Sequence, residues 1–522
     1  TIFAAPSTTA ILDGNATLNI GSVDDIENQG ANVVGAFGAG AAFAVGGVST
    51  SNVTGKSTIN VNSTVDSSQL EGLTIGIFGA GFSLATNNGE ASTAVQSTEI
   101  NLEKGMILGT IGGGLATTSD PSIITNLISN PTVGDLVGGL LDKTGGTSTS
   151  IVLGDTTINA TAGSTTALLM GGGIAIANAE AGSSQATAET IGTITINLEG
   201  SDNVFKDAEG SESNKFAFHE AAIKFIDFGK TVFTQLTSDK VGFDVQGFIT
   251  GLQDSVENLN YEGVHVGNLG SGIAIARGTN DIEKADATSK VGVVNFNLKG
   301  GYNVANLAGG VAVAFGASAT TDGKVVASTQ TDVVNVNIEG GDNILVAGGG
   351  AAYATAGRGY DSQVKANSIV DSVVMSVTGG TTDGIYGGGI AIDDTNSNYT
   401  NATANTKSIR ITVTGGKVNE ANVDPIVSIA KGDVTNGAPT NGAYVNDTAD
   451  LIDEGNVAIL GAGMASGGGA LADTETSVIN LNGGTITGSV FGGGAATFGG
   501  QTTVVKSVIT VAGADITGDI YG

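Results

Sequence analysis

The sequence predicts an all-β chain: one continuous parallel β-solenoid over residues 1–522, with small helical insertions. Three observations predict it. A glycine-rich triplet, followed by small residues in alternation, recurs along the chain. A strictly alternating apolar–polar segment precedes many triplets by about ten residues. Whole units also match one another at regular offsets, the signature of a repeat architecture.

The triplets read GAG at 38–40 and 79–81, GGG at 112–114 and 171–173, GSG at 270–272 and AGG at 308–310. They continue as GGG at 348–350 and 387–389, GAG at 461–463 and GGG at 492–494. The segment INLNGGTITGSVFGG from Ile479 matches ITVAGADITGDIYG from Ile509 at an offset of 30. The triplet centres at 309, 349 and 388 lie 40 and 39 residues apart. Three gaps are longer (113 to 172, 172 to 271 and 388 to 462) and read as the same unit carrying insertions. Tyr521-Gly522 falls where a further triplet would begin, so the stack is expected to continue in a longer polypeptide or in another subunit.

The alternating segments justify the stacking. In Val334-Asn335-Val336-Asn337-Ile338, period-two alternation places Val336 and Ile338 on one face and Asn335 and Asn337 on the other. The matching inward pairs are Ile196/Leu198, Phe296/Leu298, Met375/Val377, Ile411/Val413 and Ile479/Leu481. No unit of this size buries such a face alone, whereas parallel stacking joins the faces into one core. The polar positions between them would form an outward amide column of Asn60, Asn101, Asn197, Asn297, Asn337 and Asn480. Ser376, Thr412 and Thr510 continue it, and amide ladders are a known device of stacked strands. The glycines have two candidate roles: positive φ at corners, or close approach of neighbouring backbones. A series of antiparallel β-sandwiches is the competing architecture. The five prolines, the irregular Asn-Gly placement and the lack of linkers speak against it.

Three segments break the pattern. Residues 120–143 open on Asp120-Pro121, an N-cap with proline at the first helical position. Ile124, Leu127 and Ile128 follow, then Val133, Leu136, Val137, Leu140 and Leu141 at helical spacing. Residues 205–261 hold eight of the 17 phenylalanines and fit two amphipathic helices. Their stripes contain Phe218, Phe225, Phe233, Phe248 and Leu252, the candidate partner surface of the chain. The plainer reading packs both stripes on the solenoid flank or on each other. Residues 417–455 are polar, with Asp424-Pro425, Asn436-Gly437 and Asn441-Gly442, and read as a long loop. Insertions on repeat arrays commonly carry the binding surface.

Composition excludes several functions. The formal charge is −30, and the three arginines, Arg277, Arg358 and Arg410, form no cluster, which removes nucleic acid as a partner. No continuous apolar stretch is long enough to span a bilayer, so membrane insertion of this segment is not expected. There is no Cys, and His219 and His265 alone build no imidazole metal site. A cysteine-free chain of this length fits export in bacteria. Thr1-Ile2-Phe3-Ala4-Ala5-Pro6 reads either as the tail of a signal peptide or as an ordinary mature N-terminus. No resident cofactor is expected; the acidic turn Asp393-Asp394 offers at most weak calcium binding. The triplets lack the following lysine and helix of a phosphate-binding loop. Fifty acidic residues offer many carboxylate pairs and single out none, so a polysaccharide-active enzyme is the weaker alternative.

The repeat form, carried by residues 478–494 and 508–522 with further copies at 340–354 and 379–392, resembles the secreted passenger regions of bacterial autotransporter-like surface adhesins. That resemblance implies a right-handed parallel β-helix displayed outside the cell, at the bacterial surface or associated with the outer membrane. It implies adhesion, aggregation or service as a stalk, and it carries over no catalytic residue. The membrane β-barrel that usually ends such proteins is not in this sequence. The expectation is a non-enzymatic surface protein whose partners are other copies of itself or host or bacterial surface molecules. A surface-layer or filament subunit is the close alternative.

Overall fold

In the computed structural model, all regular elements among the described residues are β-strands. The described residues are 7–21, 33, 36–63, 73–74, 76–86, 88–107, 109–118, 145–166, 168–179, 183–200, 263–278, 284–316, 324–356, 363–393, 400–420, 457–497 and 499–522.

One repeat shows how the sequence builds the fold. Strand Lys324–Ile338 first turns Val325, Ala327, Thr329 and Thr331 inward. At Asp332 and Val333 two successive residues face outward, which breaks the alternation. Val334, Val336 and Ile338 then face inward and are fully buried. The chain turns at Gly340-Gly341, with Gly341 at φ +75°. The same left-handed conformation recurs at Gly301, Gly380, Gly416 and Gly484, where a side chain would cost about 1–2 kcal/mol. Strand Asp342–Ala347 follows, then the glycine triplet, then strand Ala351–Ala356.

Strands pair in parallel with their counterparts in neighbouring repeats. Val336 lies beside Phe296 and Met375, Met375 beside Ile411, and Ile411 beside Ile479. Every inward pair expected from the alternation is buried. The parallel pairings remove the antiparallel sandwich alternative. The strands divide into a 28-stranded sheet, holding the long strands and those after the Gly-Gly turns, and a 10-stranded sheet of the strands after the triplets. Long parallel strands in stacked sheets are the arrangement a β-solenoid requires.

Two cores run side by side. The second halves of the long strands enclose an aliphatic core of Ile59, Ile100, Ile158, Ile196, Phe296, Val336 and their column mates. The first halves pack on the 10-stranded sheet across an alanine core, with Ala175, Ala274, Ala312, Ala352 and Ala391 on one side. Each fully buried Ile, Leu or Val contributes about 1.5–3 kcal/mol. The alanines contribute less and allow the two sheets to approach closely.

The triplets stack on one another despite the long gaps between them. The Gly113 N–H donates to the Gly172 carbonyl at 3.1 Å, and the Gly172 N–H to the Ser271 carbonyl at 3.0 Å. Across the third gap, the Gly388 N–H donates to the Ala462 carbonyl at 3.1 Å. The two candidate roles of glycine overlap at the turns. The Gly-Gly turns combine positive φ with close approach, as at Gly341, where a Cβ would lie 2.5 Å from the Gly301 carbonyl oxygen, and the triplets supply close approach alone. A Cβ on Gly309 would lie 2.5 Å from the Gly349 carbonyl carbon, and one on Gly349 would run into Gly388.

The expected helices at 120–143 and 205–261 lie outside the described residues, and no helix occurs among the described ones. The first residues of the 417–455 segment belong to the sheet. Strand Lys417–Asn419 pairs with Thr381–Asp383 and Thr485–Thr487 and buries Val418 completely. Three alternating residues are too short a signal to read as a strand. Residues 421–455 lie outside the described residues.

Candidate interaction surfaces

Phe218, Phe225, Phe233, Phe248 and Leu252, the candidate partner surface, all fall within 201–262 and lie outside the described residues. Strand Ser184–Leu198 precedes this segment and strand Val264–Leu269 follows it. The Glu199 N–H donates to the Ala160 carbonyl at 2.9 Å and the Gly263 N–H to the Ser164 carbonyl at 3.0 Å, so both ends attach to the same preceding repeat. Of the acidic turn, Asp393 is described and Asp394 is not. Asp393 is buried, and both its carboxylate oxygens accept from the Thr400 hydroxyl at 2.9 Å, which ties the two ends of the 394–399 segment together. Among the described residues no group of three His, Asp or Glu side chains is placed to hold a metal ion. Among them, too, no helix is long and apolar enough to cross a membrane. Arg277 is buried and Arg410 exposed, in different repeats, and Arg358 lies outside the described residues.

The outward asparagines form a continuous ladder. Each amide nitrogen donates to the amide oxygen of the preceding repeat: Asn60 to Asn19 at 2.8 Å, Asn101 to Asn60 at 2.9 Å, and Asn159 to Asn101 at 2.9 Å. Asn197 donates to Asn159 at 2.8 Å, Asn297 to Asn197 at 3.0 Å, and Asn337 to Asn297 at 2.8 Å. All bonds point the same way, so they polarise one another cooperatively. Asn19 and Asn159 belong to this ladder although the sequence reading did not place them in it. Ser376, Thr412, Asn480 and Thr510 continue the column in register beyond Asn337. Two residues earlier a second outward column runs through Thr17, Thr58, Glu99, Thr157, Thr195, Asn295 and Asn335. Its one carboxylate, Glu99, is held below the usual carboxylate range by its hydrogen bond and ion pair with Lys56, against the opposing effect of partial burial.

A polar column that the alternation does not reveal lies inside the sheet. Thr166, His265, Asn303, Asn343 and Thr382 stack in register and are all buried. Asn303 donates to Asn343 at 2.8 Å, and in the neighbouring column Asn268 donates to Asn306 at 2.9 Å. Asn303, Asn343, Asn268 and Asn306 each also donate to the carbonyl three residues back. The Asn303 and Asn343 bonds brace the Gly-Gly turns, and the Asn268 and Asn306 bonds brace a backbone kink. The residue between the two columns has positive φ, +56° at Ala305 and Leu345 and +69° at Gly267. The kink places residues three apart, such as Asn303 and Asn306, both inside. His265 Nδ1 meets the Thr166 hydroxyl at 3.1 Å and Nε2 meets the Glu199 carbonyl at 3.2 Å. Burial lowers its pKa to about 4, partly offset by that carbonyl. The imidazole is therefore neutral at pH 7.

On the opposite face of the same strands, side chains change character along the stack. Val264 and Tyr302, then Val266 and Val304, point outward yet are buried. Their column mates in later repeats are Asp342 and Thr381, then Ile344 and Asp383, which are more open to solvent. Burial, with the Asp383 and Asp342 charges, pushes the Tyr302 phenol above its ordinary range. Aromatic rings also stack across repeats on the outer corner beside the triplets: Phe37 on Phe78 at 5.0 Å and Phe491 on Tyr521 at 4.7 Å.

Comparison with protein-family models, with curated proteins and with solved structures finds no match.

Proposed function

We propose that the chain is a right-handed parallel β-solenoid that serves as a structural and adhesive protein of the bacterial cell surface, outside the cell. Its task is adhesion, aggregation or self-assembly, not catalysis. The observation that carries this reading is the amide ladder from Asn19 to Asn337, a long, regular, hydrogen-bonding surface backed by a buried aliphatic core. A rigid body of repeats with outward polar columns suits display over a distance and many weak contacts in parallel. The right-handed sense follows the general preference of parallel crossovers. The repeat form shared with autotransporter-like passenger regions points the same way. A surface-layer or filament subunit is the second reading, favoured by the uncharged stretch of that surface.

The test is adhesion by the full chain coupled to micrometre beads. Clumping of the beads, or their attachment to bacterial or host cells, supports the proposal. Beads that stay dispersed, together with turnover of an acidic polysaccharide lost on one carboxylate substitution, overturn it in favour of an enzyme.

A further inference from the structure

We infer that the outward strip on strands Thr156–Thr166, Ser184–Leu198, Lys284–Leu298 and Lys324–Ile338 is a docking surface for a second copy of this chain, packed face to face and antiparallel. The inference rests on the self-assembly reading above and names its surface. Three observations carry it.

The first is charge. The chain carries −30, so most approaches between copies are repulsive. Yet from Thr157 to Asn337 no formal charge stands in either outward column. Thr157, Thr195, Asn295 and Asn335 occupy one, and Asn159 to Asn337 the other. The second is period. The ladder fixes the amides of successive repeats at the spacing of hydrogen-bonded strands, about 4.8 Å. A second copy has the same period by construction, so contacts made at one repeat recur at the next. Each amide nitrogen uses one N–H along the ladder and keeps another for a facing group. The third is the edge of the strip, where signs alternate. Glu199 pairs with Lys299 at 3.4 Å, and Glu339 follows in the next repeat. In an antiparallel pair this edge meets itself in reversed order. A two-fold axis midway between repeats then sets Lys299 of each copy against Glu199 or Glu339 of the other, an isologous contact.

Sedimentation of the full chain over a range of protein and salt concentrations tests this. The wild type is expected to associate, more tightly as salt screens the net charge. Thr157→Lys with Thr195→Lys, on the strip but outside the ladder, is expected to weaken association about tenfold or more, because each contact would then bury an unpaired charge. Asn297→Lys should do the same from within the ladder. Thr187→Lys with Ser328→Lys, outward on the alanine-core half of the long strands, should leave association unchanged. Circular dichroism melts establish that the variants are folded. A wild type that is monomeric throughout, or strip and control variants that associate alike, overturns the inference. If such a monomer still clumps beads or binds cells, the adhesive reading survives; if it does neither, both fall.

Discussion

The side-chain amide of Asn337 donates to Oδ1 of Asn297 at 2.8 Å although 40 residues of chain separate them. The bond is possible because the strands carrying both residues run parallel and in register. It is one step of a ladder whose members are covalently remote and spatially adjacent.

Removing a middle step should cost stability. Asn297→Ala leaves the Asn337 nitrogen and the Asn197 oxygen without their partners. Both stay partly exposed, so water replaces the lost bonds and the expected loss is about 1 kcal/mol. Asn480→Ala, flanked in register by Thr412 and Thr510, should cost less. Denaturant unfolding of the two variants checks the difference. Equal losses would mean that the ladder adds nothing beyond a solvated polar surface.

Two glycines make a sharper pair. Gly349→Ala drives a methyl group into the backbone of Gly388 in the next repeat. The repeats must separate locally, at an expected cost of about 2–3 kcal/mol. At Gly292, on a long strand, a Cβ would come no nearer than 3.0 Å, to the Ile191 carbonyl oxygen. Gly292→Ala should cost clearly less in a thermal melt of the two variants.

His265 predicts an acid dependence. Its folded pKa is about 4, below the unfolded value near 6.5. Above pH 6.5 both states are neutral and the group adds no pH dependence. Between pH 6.5 and 4 the unfolded chain takes up the proton and the folded one does not, so stability falls. By linkage the loss reaches about 3 kcal/mol below pH 4. His265→Asn, which matches Asn303 in the same column, should remain folded at pH 7 and lose less stability across that window. Unfolding at pH 7 and pH 4.5 gives the comparison.

The sequence makes the wide core legible because the alternation in segments such as Val334 to Ile338 is unbroken and turn glycines follow at once. It discloses the amide column for the same reason. Asn159 escapes notice because Ala160-Thr161-Ala162-Gly163 follows it instead of a Gly-Gly turn, and Asn19 because a single Gly21 follows Ile20. The inner polar column is hidden for a different cause. Alternation assigns Asn303 and Asn306 to opposite faces, and only the positive φ at Ala305 brings both inside. An alanine or a leucine gives no hint of that conformation. The alanine core is legible as small residues after each triplet, but its packing partner, the first half of the long strands, needs the bend at Asp332 and Val333. The phenylalanine stripes of 205–261 remain an expectation of the sequence alone.

The central claim is that repeats far apart in sequence lie directly on one another. The chain has no cysteine, so engineered pairs report it cleanly. Asn197 and Asn297 are register partners in adjacent parallel strands, at a spacing within the range a disulfide spans. Asn197 and Asn337 are two strands apart, beyond that range. Under mild oxidation of dilute protein, Asn197→Cys with Asn297→Cys is predicted to close an intramolecular disulfide in nearly every molecule, and Asn197→Cys with Asn337→Cys to close none. Free thiols in the first pair, or efficient closure in the second, would contradict the stacking on which the whole account stands.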